Sequence, residues 1–373
     1  MKHELLLKTA VLGTVAAATA LPLVAQAQSS VQLGGRMKLG VDNVQYSGGT
    51  APKTHATRVT DNSSMWFVKG TEDLGGGTQA FFHIENTISG DTGAMGSPRF
   101  HAVGLSNPAW GRVLAGVWST YFASDSALSP ASIVDGLPYA AGTLNVLGSI
   151  GKRNQYFAGG FLPNTLRYDS PRWGGFSFNA SYILDAEAPN KASNHSYNIN
   201  PNFVVGPWTL YGNYLRRSNQ AGTANNWDTS YDQNALRVGA GYAAQNGFRA
   251  AVLVDRNEVK GTAVAGGKMN RTAWALPVSY RTGQHLFSAA YGQALSYKTG
   301  GAKANDTGAK MFSVGYEYFL SKRTSLAASF ATVKNDRNAG YDFWHPNDIL
   351  SAVSAGNSGF RSRYTYVGVK HTF

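Results

Sequence analysis

The sequence predicts an all-β fold: a transmembrane antiparallel β-barrel of about sixteen strands, with a third long loop that folds inward. Three observations predict this fold. The chain opens with a short apolar segment typical of export. Segments in which apolar and polar residues alternate then recur along nearly all of the remaining chain. The last of them, residues 364–373, is a strand at the carboxyl end that can close the barrel against the first strand.

Residues 1–27 are expected to be a signal peptide, which leaves 28–373 as a single barrel domain. The segment has a positive start, an apolar stretch over residues 9–24 and the cleavage pattern Ala25-x-Ala27. A short anchor helix is the alternative, but the apolar run is shorter than the roughly 20 residues that a spanning helix needs. We therefore expect the mature chain in the outer membrane of a Gram-negative bacterium.

The composition is that of an exported chain without disulfides, because it contains 43 Gly, 19 Tyr and no Cys. A closed barrel needs no disulfides, since every backbone group of the wall is paired within the sheet. The formal net charge is +12. A basic chain often binds nucleic acid, but the export segment argues against that partner. The excess charge is expected in the lumen, in the outer loops or in the headgroup zones.

The first strand shows the alternation most clearly. Leu33, Met37 and Leu39 fall on one face, and Arg36 and Lys38 fall on the other. A cation that faces lipid near the midplane costs about 2–4 kcal/mol. The charged face is therefore predicted to line the lumen. A strand of a soluble sandwich would alternate in the same way, so the prediction depends on the recurrence of the pattern.

Similar segments follow, and the connections between them alternate in length. Short connections such as residues 72–77 and 282–284 alternate with long polar ones such as 47–60, 89–98 and 337–359. Short turns on one side and long loops on the other are typical of transmembrane barrels. Aromatic residues near the predicted strand ends indicate two interfacial girdles: Trp110, Tyr121, Trp173, Trp208, Tyr280, Tyr318 and Tyr364.

One connection, residues 121–160, is longer and more apolar than its neighbours. A solvent-exposed loop of this length and composition is unexpected. We therefore expect it to fold inward, pack on the barrel wall and narrow the channel. The alternative is an external loop that contacts a neighbouring subunit.

Several segments also carry a family pattern. They are residues 25–33 (AQAQSSVQL), 69–77 (KGTEDLGGG), 103–106 (VGLS), 166–171 (LRYDSP) with 174–177 (GGFS), and 367–373 (VGVKHTF). As a set they resemble the trimeric general porins of Gram-negative bacteria, in the betaproteobacterial branch. The resemblance covers essentially all of the chain after the export segment. It implies a sixteen-stranded barrel, a homotrimer, an inward third loop and passive diffusion of small hydrophilic solutes.

The resemblance also implies a ladder of basic residues on the wall opposite an acidic constriction loop. Lys69, Arg99 and Arg167 match basic positions of that ladder. The match is partial, because other residues stand where the family commonly has arginine: Met65, Val117 and Phe161. The lumen is therefore expected to be more apolar than the family norm. This keeps a second function open: a substrate-selective channel for partly apolar organic anions such as aromatic carboxylates.

The candidate site residues are those expected to line the channel. The basic set is Arg36, Lys38, Lys69, Arg99, Arg153 and Arg167, and the acidic set on the inward loop is Asp125 and Asp135. Basic rings favour the passage of anions, so an anion-preferring channel is expected. The alternative is that these charges pair with one another and only hold the loop.

No enzyme activity, metal or cofactor is expected. The His residues show no ligand spacing, Cys is absent, and no Gly-x-Ser-x-Gly segment occurs. The expected partners are further copies of the chain, outer-membrane lipid and lipopolysaccharide, small solutes and inorganic ions, but not nucleic acid.

Overall fold

The computed structural model describes residues 30–121, 143–148, 158–184, 196–218, 231–262, 264–343 and 356–373. They form one closed antiparallel sheet with a short helix, α1 (Thr143–Leu147), between two of its strands. The strands are β1 (Ser30–Ser47), β2 (Thr54–Asp61), β3 (Ser64–Gly75), β4 (Thr78–Ser89), β5 (Ala94–Asn107), β6 (Gly111–Thr120), β7 (Gly160–Asp169), β8 (Phe176–Ile183), β9 (Ser196–Val205), β10 (Trp208–Arg217), β11 (Asp232–Ala243), β12 (Phe248–Lys260), β13 (Lys268–Thr282), β14 (His285–Ala294), β15 (Lys298–Thr299), β16 (Ala302–Lys303), β17 (Ala309–Phe319), β18 (Thr324–Asn335) and β19 (Arg361–Thr372).

The barrel closes by pairing its first strand with its last. β1 and β19 are antiparallel, from Arg36 opposite Thr372 to Ser47 opposite Arg361. Beyond the strand, Phe373 and Gly35 exchange two backbone hydrogen bonds, at 3.1 and 3.2 Å. No edge of the wall is therefore left unpaired at this seam, as the hydrocarbon of a membrane requires.

Within the described ranges sixteen strands cross the wall, as predicted. On the side away from β19, β1 pairs with β2 and then with β3, so these two segments are halves of one crossing strand. The break between them includes Ser63, whose φ is 75°. The two-residue strands β15 and β16 pair with each other in a hairpin between β14 and β17.

Two predicted loops are shorter than expected, and the predicted bounds 47–60 and 89–98 are wrong. β2 begins at Thr54 and β5 begins at Ala94, inside those ranges. Both segments are rich in polar residues, which suggested a loop. They are strands because they extend long hairpins at the end of the barrel that carries the longer loops, where backbone pairing does not need an apolar face.

The two faces of the wall follow from the register, because directly paired residues point to the same side of a sheet. The outward face is apolar, and Val31 and Leu33 are 72% and 68% exposed. An aromatic girdle surrounds the end with short turns, where Trp208 and Tyr242 are 4.9 Å apart and Trp173 is half exposed. Tyr121 and Tyr364 were wrongly predicted in the girdles, because both side chains are buried inside the barrel.

The main apolar core lies inside the barrel. It joins α1 to the inward faces of the wall strands, where Leu144, Val146 and Leu147 are fully buried. Small residues of the wall, such as Ala273 and Ala290, make room for the helix. The only described helix longer than one turn is α1, so no helix in the described ranges is long or apolar enough to span a membrane. The rest of the 121–160 connection lies outside the described residues, apart from its ends.

Candidate functional site in the barrel lumen

The predicted basic residues that the structure describes reach the lumen. Arg36 and Lys38 share the inward face of β1, Lys69 lies opposite the inward Gln32, and Arg167 lies opposite Leu114 and Ser181. Their conducting role stays a prediction. The predicted residues Asp125, Asp135 and Arg153 lie outside the described residues.

Arg99 faces the lumen because of a bulge in β5 and not because of regular alternation. On β4, Glu85 lies opposite Phe100 of β5, and the next residue, Asn86, lies opposite Pro98. Arg99 is therefore an extra residue with none opposite it on β4, and β5 carries a β-bulge here. The Arg99 guanidinium forms an ion pair with the Glu85 carboxylate at 2.6 Å. Strict alternation along β5 would have turned Arg99 outward.

A second ion cluster lies nearer the short-turn end. Asp169 Oδ1 accepts a hydrogen bond from Arg167 Nε at 2.6 Å, and Asp169 Oδ2 accepts one from Arg112 Nε at 2.6 Å. One carboxylate therefore serves two arginines, and the cluster keeps a net positive charge. Arg167 is buried, whereas the Arg112 side chain is 36% exposed. The guanidinium of Arg112 thus presents charge to the channel.

Aromatic rings fill the space between these two clusters. Phe100 lies 4.5 Å from Trp118 and 5.3 Å from both His83 and Phe161. Cations cover some of the rings, with Arg99 4.6 Å from the Phe161 centroid and Arg112 5.0 Å from the Trp118 centroid. We call Phe81, His83, Phe100, Trp118 and Phe161 the aromatic wall. Aromatic rings therefore line this side of the lumen together with the cations, and a lumen more apolar than the family norm stays a prediction.

The departures from the family pattern fall on both faces. Met65 lies opposite Arg36 and so faces the lumen. Val117 lies opposite His101, on the outward face, and its neighbour Trp118 supplies the lumen side chain at this point. Val117 therefore does not line the channel, contrary to its use in the sequence analysis.

The opposite part of the lumen carries a buried ion cluster on β11, β12 and β13. Asp255 accepts hydrogen bonds from Arg237 at 3.0 Å, from Arg271 at 3.2 Å and from the hydroxyl of Tyr121 at 2.7 Å. Arg271 also donates to the carbonyl oxygen of Gly148, which directly follows α1. The cluster thus ties α1 to the wall.

Sequence reasoning missed most members of these clusters. Arg112, Arg237 and Arg271 all follow the alternation of their strands and could have been found on the face opposite the outward apolar residues, such as Val113 and Val238. Two further inward acids were also missed: Asp42, which pairs with Arg58 at 3.1 Å, and Glu317, which pairs with Lys370 at 2.6 Å. Among the described residues, inward cations outnumber inward acids. No group of three His, Asp or Glu in the described ranges could hold a metal ion.

Comparison with known proteins supports the architecture. A model of the Gram-negative porin family matches residues 13–338. Among curated relatives, the major outer membrane protein P.IB of Neisseria meningitidis is 25% identical over 277 residues, which are 71% of this chain and 75% of that protein. An outer membrane porin protein of Bordetella pertussis is 31% identical over 150 residues, which span about a third of each chain (35% and 34%).

Solved structures with the same fold share little sequence. An anion-selective porin from Comamonas acidovorans superposes with a TM-score of 0.71 at 22% identity, over 93% of this chain and 100% of that one. OmpT of Vibrio cholerae, in its trimer form, superposes with a TM-score of 0.63 at 13% identity, over 92% of this chain and 99% of that one. These similarities show the fold alone.

Proposed function

The chain belongs to the Gram-negative porin family, and we propose that it forms a water-filled channel in the outer membrane for passive diffusion of small hydrophilic solutes and ions, with a preference for anions. The family and the fold indicate a channel rather than an enzyme. One observation supports the anion preference above all: inward-facing arginines outnumber the carboxylates that could neutralise them, as Arg112 and Arg167 do at Asp169.

The residues proposed to conduct are the predicted ones. Arg36, Lys38, Lys69, Arg99, Arg167 and Arg153 would line the path of the anion, and Asp125 and Asp135 would face them from the inward loop. The packing of α1 inside the barrel supports a loop that narrows the lumen. Residues 1–27 would be removed on export, with cleavage after Ala27.

We also propose a homotrimer. Polar side chains on the outward face of β2 to β5 support it, because lipid is a poor environment for them. Asp61 lies opposite the outward Leu39, and His101 contacts Asn86 at 3.1 Å on the same face. The loop after β4 folds back onto this face, where the Gly90 amide donates to Asp61 at 3.1 Å. A neighbouring copy would cover these groups.

The test is a planar-bilayer recording of the purified mature protein, with the reversal potential measured in a potassium chloride gradient. We expect large steady current steps in groups of three and a reversal potential shifted toward the chloride equilibrium. A shift toward potassium would contradict the anion preference, and the absence of steps would contradict the channel.

A second candidate function is selective uptake of aromatic carboxylates, and the aromatic wall favours it. Its rings lie beside the partly exposed Arg112 and the exposed Lys69, so a planar anion could stack on a ring and pair with a cation. Aromatic pairs contribute about 0.5–1.5 kcal/mol beyond burial. Benzoate should then block the chloride current at roughly threefold lower concentration than cyclohexanecarboxylate, which has the same charge and no π face.

The discriminating variant is Phe100→Leu, with Phe287→Leu on the lipid face as its control. Phe100→Leu should abolish the difference between the two carboxylates, and Phe287→Leu should preserve it. If both compounds block the unmodified channel equally, the protein is a general porin and the selective-channel function is excluded.

A further inference from the structure

A cluster of four cations lies on the outward face of the barrel, at the end that carries the long loops. Lys310 is opposite Lys334, and Lys334 is in turn opposite Arg361. Arg363 lies one step further into the wall, opposite Thr332. Like charges directly opposite one another on neighbouring strands are destabilising unless an anion lies between them.

These four side chains have no carboxylate partner within ion-pair distance among the described residues. Two other outward cations of the same rim do have one. Lys268 pairs with Glu258 at 3.0 Å, and Arg216 lies 3.9 Å from Asp232. The four-cation cluster therefore differs from these two ion pairs in its unbalanced positive charge.

The cluster borders a groove of about 370 Å³. Its upper part is lined by the four cations and its lower part by outward rings, Tyr291, Phe312 and Phe330. In transmembrane barrels the long loops are extracellular, which puts the cations at the outer headgroup level and the rings at the start of the hydrocarbon. The groove is thus cationic where a headgroup lies and apolar where acyl chains lie.

We propose that this groove is a binding site for a phosphorylated lipid of the outer leaflet, whose phosphates lie among Lys310, Lys334, Arg361 and Arg363 and whose acyl chains lie against Phe312 and Phe330. Charge complementarity selects the headgroup, because phosphate oxygens accept hydrogen bonds from both arginine and lysine. The rings select a lipid over a free anion. The site depends on the outer-membrane location of the chain and not on what its channel conducts.

The test measures binding of diphosphoryl lipid A to the full mature chain in detergent, by native mass spectrometry and by the shift in heat-unfolding midpoint. The unmodified protein should bind the lipid and unfold at a higher temperature with it. The double variant Lys334→Gln/Arg361→Gln should bind at least tenfold more weakly. The matched control Arg216→Gln/Lys268→Gln removes the same charge from the same rim and should bind as the unmodified protein does.

Two further arms distinguish the possible sources of the effect. Inorganic phosphate at the same phosphate concentration should neither bind nor stabilise, and equal binding would overturn a lipid site in favour of a small-anion site. The charge-conserving variant Lys334→Arg/Arg361→Lys should restore lipid binding, which separates loss of charge from misfolding. Equal binding of lipid A by the Gln double variant and its control would overturn the proposal outright.

Discussion

Arg271 donates a hydrogen bond to the carbonyl oxygen of Gly148, so a residue of the barrel wall holds the end of α1. The arginine is itself held by Asp255, and its side chain is fully buried. A helix of only five residues is not stable by itself. Its position therefore depends on this anchor and on its packing against the small wall residues.

Replacement of Asp255 by Asn should loosen the helix and destabilise the barrel. Arg237 and Arg271 would remain buried without a counter-charge, and breaking a buried pair in this way costs roughly 3–5 kcal/mol. We expect a lower heat-unfolding midpoint in detergent and noisier channel currents. Asp232→Asn is the control, because Asp232 is 40% exposed and its pair with Arg216 contributes little. Equal midpoints for the two variants would contradict the role of Asp255 as an anchor.

Charge reversal at Lys69 should reduce the anion preference. Reversing one charge about 8 Å from the ion path changes the energy of an ion by about 1 kcal/mol in water, and salt screens part of it. Because this energy change has opposite signs for chloride and for potassium, the ratio of their permeabilities in Lys69→Glu should fall about fivefold, as measured by the reversal potential. Lys322→Glu changes the same charge in an exposed short turn and should leave the ratio unchanged. A fall in both variants would mean that net charge, and not lumen charge, sets the selectivity.

Loss of the carboxylate at position 169 should act in the opposite direction. In Asp169→Asn, Arg112 and Arg167 lose the charge that they share, so the lumen becomes more positive. We expect the permeability ratio to rise about twofold and the heat-unfolding midpoint to fall. Glu72→Gln removes the same charge from the outward face of β3 and is the control. An unchanged ratio in Asp169→Asn would show that this cluster lies off the ion path.

The barrel seam should not tolerate a side chain at Gly35. A Cβ there would lie 2.5 Å from the carbonyl oxygen of Met65 and 2.7 Å from the ring of Phe373. Gly35→Val should therefore weaken the pairing of β1 with β19, and a lower yield of heat-resistant barrel after refolding in detergent would show it. Gly356→Val introduces the same side chain where no atom of the described residues lies within 4 Å of the added Cβ, and it should refold normally. Normal refolding of both variants would refute the expected clash.

The inward face of each regular strand could be predicted from alternation alone. Arg36 and Lys38 were assigned correctly because the period of a strand is two and a cation avoids lipid. Arg99 could not be assigned in this way, since it is the extra residue of a bulge and a bulge shifts the alternation. Its assignment came from the family resemblance. Val117 was assigned wrongly, because the sequence alone does not give the strand register that turns this side chain outward.

The architecture of this protein follows from local features of its sequence. Alternating strands and alternating connection lengths are local properties, and hydrocarbon accepts only a closed sheet built from them. Which charges meet depends on the folded barrel. Arg112 and Asp169, or Arg271 and Gly148, are far apart in the chain, and their contacts depend on strand register and on the packing of α1. The same holds for the four-cation cluster, which exists only because Lys310, Lys334 and Arg361 become neighbours across three strands.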